Sequence, residues 1–116
     1  MLPKEFTLKE LQKEENKVLL KNMILQLRKD AQMSGLDFEL NENSSSDDLI
    51  SFLNDFLTEL IHKDFTSYAN FLYRIDVSEK EILKISEASL EILVGRISEL
   101  ILRKEWQKIW FRSKNQ

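Results

Sequence analysis

A chain of 116 residues can build one hydrophobic core but not two ordinary domains, and its 42% hydrophobic content is that of a globular protein. The complete lack of cysteine excludes a disulfide framework, a thiolate metal site and a thiol nucleophile. The net charge of −3 and a pI near 5.3 count against phosphate binding as the main task, although eight acids face one lysine over residues 37–64 while residues 103–116 carry five bases and one acid.

No apolar run approaches the roughly 20 residues of a membrane span. The opening MLPKEFTLKE has no apolar signal core, so a cytoplasmic location is expected. Two glycines and one proline leave little turn punctuation, and Leu, Ile, Glu and Lys favour helix. The expectation is an all-α fold. It is a single helical domain over 1–116, a bundle of four main helices plus one short connector helix, with long first and last helices.

After an N-terminal lead over 1–6, the first helix is expected to start at Thr7. Thr7 and Glu10 match a capping box, and Phe6 and Leu11 occupy the staple positions. The helix should run to about Ser34, roughly 40 Å at 1.5 Å per residue, and stop at Gly35 in a left-handed C-cap. Residues 36–46 read as an acidic Ser/Asn loop in which Ser45 or Ser46 caps the second helix, about 47–62. Leu49, Phe52, Leu53, Phe56, Leu57, Leu60 and Ile61 form its inner face. An aromatic-rich third helix, about 65–75, starts near Asp64. Ser78 and Glu81 make a second capping box, stapled by Val77 and Ile82, for a connector helix over about 79–85. Ser86 then opens the last helix, about 87–112.

That last helix has two apolar sides. Leu90, Leu93, Val94, Ile97, Leu100 and Ile101 form a core stripe. Continued onward, the stripe meets Lys104, Lys108 and Arg112, which do not belong in a core. Leu102, Trp106, Ile109 and Trp110 point more than a quarter-turn away, within the basic, Trp-containing end over 102–116. Ala88, Ile92 and Gly95 share that second side further up, and a helix-interior glycine suggests close backbone approach. This face is the expected protein-binding surface, covered by a partner protein or by a second copy of the chain. The competing expectation is that the first helix covers it within one chain.

The sequence offers little for catalysis. His62, the single histidine, lies on the polar side of its helix. Asp37, Glu39, Asn41, Asn43, Ser45 and Asp48 fall at EF-hand spacing, but Glu42 stands where the loop needs glycine and Asp48 where it needs a bidentate glutamate. No nucleophile elbow, Walker pattern or phosphate-cradling glycine loop occurs. The reading is therefore a non-enzymatic protein–protein interaction module, an adaptor or oligomeric subunit, with no cofactor, metal or small-molecule substrate. The alternative is a weak nucleic-acid binder that uses Lys9, Lys13, Lys17 and Lys21 along the first helix with Lys104, Lys108 and Arg112 in the tail. A membrane-surface role for Trp106, Trp110 and Phe111 is disfavoured by the short tail and the anionic remainder of the chain.

Overall fold

The computed structural model describes residues 6–85 and 89–114. Two 3-10 turns, Leu8–Gln12 and Glu14–Asn16, lead into α1 (Lys17–Met33). Then follow α2 (Ser46–Lys63), α3 (Phe65–Ile75), α4 (Glu79–Leu83) and α5 (Leu90–Lys114). No strand occurs among the described residues, so the architecture is the expected all-α bundle of four main helices and a short connector. The 25 residues of α5 cover about 37 Å at 1.5 Å per residue, which matches the 38 Å long axis of the molecule.

Local chemistry explains most helix ends. Ser45 accepts from the Asp48 backbone N–H at the start of α2, and Asp64 accepts from Ser67 N–H at the start of α3. Ser78 and Glu81 bond each other's backbone in a complete capping box at α4. Gly35 closes α1 at φ +76°. Asp76 ends α3 at φ +78°, a left-handed position that Asp tolerates better than bulky residues. Ser86, the expected start of the last helix, lies outside the described residues, and α5 continues to Lys114.

The expected long first helix is not formed as such. Thr7 is extended and makes no side-chain cap, and Lys13 is extended at ψ 133° between the two 3-10 turns. The capping-box partner is engaged elsewhere. Glu10 receives Lys13 Nζ at 2.9 Å and Asn16 Nδ2 at 3.3 Å, while Asn16 Nδ2 also bonds the Glu10 carbonyl at 2.8 Å. The bend lets Phe6 and Leu11 both enter the core. Burying a Phe and a Leu contributes roughly 1.5–3 kcal/mol each, more than the ~1 kcal/mol a cap gives.

The core runs continuously through the bundle. Leu49, Leu53, Leu57 and Leu60 of α2 meet Phe71, Leu72 and Ile75 of α3 and Val94, Ile97 and Ile101 of α5. On the far side, Leu20, Met23, Ile24, Leu27 and Ala31 of α1 complete it. Phe38, from the acidic loop, is fully buried in an aromatic group with Phe52 and Phe56. Arg28 holds that loop down, donating to the Leu40 carbonyl at 2.6 Å and lying 3.6 Å from Glu42.

Candidate interaction site

The tryptophan face of α5 is buried inside the single chain. Leu102, Trp106, Ile109 and Trp110 all belong to the hydrophobic core, and Trp106 is only 3% exposed. Phe6 lies on the Trp106 indole in a stacked arrangement, with centroids 5.7 Å apart and planes 21° apart. At the outer end Lys114 Nζ sits 5.5 Å from the Trp110 ring and Phe111 meets it edge-on. For these four residues of the expected protein-binding face, the burial follows the competing expectation that the chain itself covers them. The upstream half of α5 buries one side against α2, and the downstream half turns its other side toward α1 and Phe6. The lead segment, extended at Lys13 ahead of α1, carries Phe6 onto the indole.

The upstream members of that face fare differently. Ala88 lies outside the described residues. Ile92 is half-exposed, and nothing lies within 4 Å of where a Cβ on Gly95 would point, so no close backbone approach explains this glycine.

Beneath the tryptophans the α1–α5 seam holds a polar cluster. Asp30 on α1 and Glu105 on α5 are 4% and 0% exposed. Lys108 Nζ lies 3.0 Å from Glu105 Oε1 and 3.6 Å from Asp30 Oδ2. Gln26 donates to Asp30 Oδ1 at 3.1 Å and accepts from Arg112 Nη2 at 3.1 Å. Burial pushes the Glu105 carboxyl up to about 8; a hydrogen bond and repulsion from Asp30 add to the rise, and Lys108 opposes it. Written as two carboxylates, Asp30 Oδ2 and Glu105 Oε2 find no hydrogen-bond donor, and Glu105 Oε1 has only Lys108 Nζ beside it. A proton on Glu105 supplies one to Asp30. The sequence showed neither residue as a site, because Asp30 and Glu105 each look like ordinary helix-surface acids.

The lysines expected to form a nucleic-acid surface do not line one helix. The break at Lys13 interrupts the four-residue spacing of Lys9, Lys13, Lys17 and Lys21. Lys13 pairs with Glu10 and Lys17 lies 3.9 Å from Glu14. In the tail, Lys104 pairs with Glu81 at 3.0 Å, Lys108 with Glu105, and Arg112 bonds Gln26. The tail bases therefore turn to α4 and α1, not to the acid-rich stretch 37–64.

His62 is exposed, with Nδ1 3.0 Å from the Thr58 carbonyl one turn back. In the 37–48 loop Asn41 Oδ1 accepts from Asn43 N–H, and Ser45 serves as the α2 cap. Among the described residues no three His, Asp or Glu side chains converge as metal ligands, and no helix is long and apolar enough to cross a membrane.

An open apolar groove lies instead between α3 and α4. It holds about 690 Å³ and is lined chiefly by Phe65, Tyr68, Leu72, Tyr73, Val77, Ile82 and Leu83. Phe65, Tyr73 and Leu83 are 63%, 86% and 79% exposed. A neighbouring cavity of about 410 Å³ shares Asn70 and Tyr73 and reaches exposed Met33 at the end of α1. Glu79 is the charged residue in the groove lining. The sequence marked α3 as an aromatic-rich helix. At 100° per residue, however, Phe65, Ala69 and Tyr73 span one side of α3, while Tyr68, Phe71 and Ile75 occupy the other. Comparison with protein-family models, curated protein sequences and solved structures finds no match to this chain.

Proposed function

We propose that the protein is a non-enzymatic protein–protein interaction module that receives the apolar face of a partner helix in the α3–α4 groove. One observation carries this reading. Of the seven large apolar side chains exposed among the described residues, four line two adjoining cavities: Met33, Phe65, Tyr73 and Leu83. Scattered apolar residues are ordinary on a surface, but a contiguous group around a concavity marks a contact site. Helix-in-groove recognition uses such a shape, with anchors at i, i+3 or i+4, and i+7. Glu79 in the groove lining favours a basic residue beside the partner helix's apolar ridge, and Arg74 in the adjoining cavity favours an acidic one at the Met33 end. Apart from Glu79, the polar groups of the lining are the Asn70 amide and the hydroxyls of Ser78, Tyr68 and Tyr73, a set suited to contact rather than to proton transfer.

Selection from a displayed library of helical peptides tests this. Enriched peptides should carry apolar anchors at helical spacing, with a basic residue beside them and an acidic one toward the Met33 end. Replacing Tyr73 and Leu83 together by Asp should weaken their binding at least about tenfold, with stability changed by no more than about 0.5 kcal/mol per exposed site. Enriched peptides that bind the double variant as tightly as wild type would move the contact surface elsewhere.

A further inference from the structure

Two buried carboxyls and one ammonium at a helix–helix seam need a specific charge balance. Asp30 and Lys108 cancel, so the cluster is neutral only while Glu105 keeps its proton. A second negative charge there would be generated in a site where one ammonium, Lys108, faces three carboxyl oxygens that otherwise have no hydrogen-bond donor. Of the other charged groups around the seam, Lys29 of α1 is exposed to solvent beside Ile109 and Arg112. On α5, Lys104 is turned to Glu81 of α4 and Arg112 to Gln26 of α1. The Nε of Arg103 is itself buried without a partner. From α2, Asn54 makes a polar contact with α5, accepting from Ser98 at 2.5 Å, and the buried α2 residues are Ser46 and leucines. The buried face of α3 brings only the Tyr68 phenol as a titratable group, and the lead segment brings Phe6 and Leu11.

We infer that the α1–α5 seam is a proton-operated latch: Asp30, Glu105 and Lys108 hold the tryptophan half of α5 against α1 while the two carboxyls share a proton, and loosen it when that proton leaves. Glu105 is one position before Trp106 and one turn before Ile109, so charging it acts on the side chains that close the seam. What is released is the face made by Leu102, Trp106, Ile109 and Trp110, an apolar surface that the closed chain conceals. The sign follows from linkage. The folded-state value of Glu105, about 8, lies above its ordinary 4.5. Its contribution is fully present below about 4.5 and is lost as pH rises through about 8.

The latch is tested on the whole chain by acrylamide quenching of tryptophan emission from about pH 6 to about pH 9.5, with far-UV circular dichroism in parallel. Quenching should rise at least about twofold in a step centred near pH 8 while helicity is retained. Glu105→Gln should abolish the step and keep quenching low throughout. Lys108→Gln removes the cation that opposes protonation and should move the step to higher pH. Asp30→Asn removes the neighbouring anion and should move it lower, which keeps the test available if Glu105→Gln does not fold. Flat quenching in the wild type, an unchanged step in Glu105→Gln or Asp30→Asn, or loss of helicity in the same step would each overturn the latch.

Discussion

Trp106→Ala is expected to destabilise the fold by about 3–5 kcal/mol, the range for removing a large aromatic from a packed interior. The indole is 3% exposed, lies under Phe6, and shares the seam with Leu102, Ile109 and Trp110. Its Nε1 has no hydrogen-bond partner, so the substitution removes packing and strands no acceptor. Against a total stability of about 5–15 kcal/mol for a domain of this kind, the loss is large. Urea unfolding followed by circular dichroism measures it. A variant that keeps wild-type stability but loses a contact between chains would show that the indole belongs to an interface and not to this core.

The second large effect is expected at Phe38→Ala, also about 3–5 kcal/mol by urea unfolding. Phe38 is 1% exposed although it sits in an irregular, acid-rich loop. Its ring meets Phe52 at 4.9 Å and Phe56 at 5.1 Å, both edge-on, and Phe56 continues the contact to Phe71. The substitution therefore opens a void under α2 and removes the anchor that Arg28 helps to hold. Phe65→Ala, at a ring 63% exposed on the groove, should change stability by only about 0.5 kcal/mol. Equal losses at the two positions would mean that the loop does not dock as described.

What the sequence made legible was local. Ser78 with Glu81, Ser45 (one of the two serines offered) before α2, Asp64 before α3 and Gly35 after α1 act within a few residues of themselves, and each bounds a helix. Thr7 carried the same signature as Ser78, yet it makes no side-chain cap and starts only a five-residue 3-10 turn, not the long α-helix. Its Glu10 is drawn to Lys13 and Asn16, and Phe6 and Leu11 gain more from the core than the cap could return. Phe38 was hidden by its polar neighbours, since loop composition says nothing about which single ring turns inward. The two apolar sides of α5 were visible by periodicity. Which element covers the second one was not, because it depends on the bend at Lys13 and the placement of Phe6. Asp30 and Glu105 come together only in three dimensions. The α3–α4 groove needed the orientation of α3, which decides that Phe65 and Tyr73 stay outside while Tyr68 and Phe71 go in.

The central claim is that the tryptophan half of α5 is closed by its own chain. Tryptophan emission of the wild-type protein, followed on dilution from about a hundred micromolar to well below one micromolar at about pH 6, tests this most directly. Both indoles are 9% exposed or less in the isolated chain, so the emission should be blue-shifted and independent of concentration. A red shift on dilution, with helicity maintained, would show that a second copy covers Trp106 and Trp110 and would contradict the account.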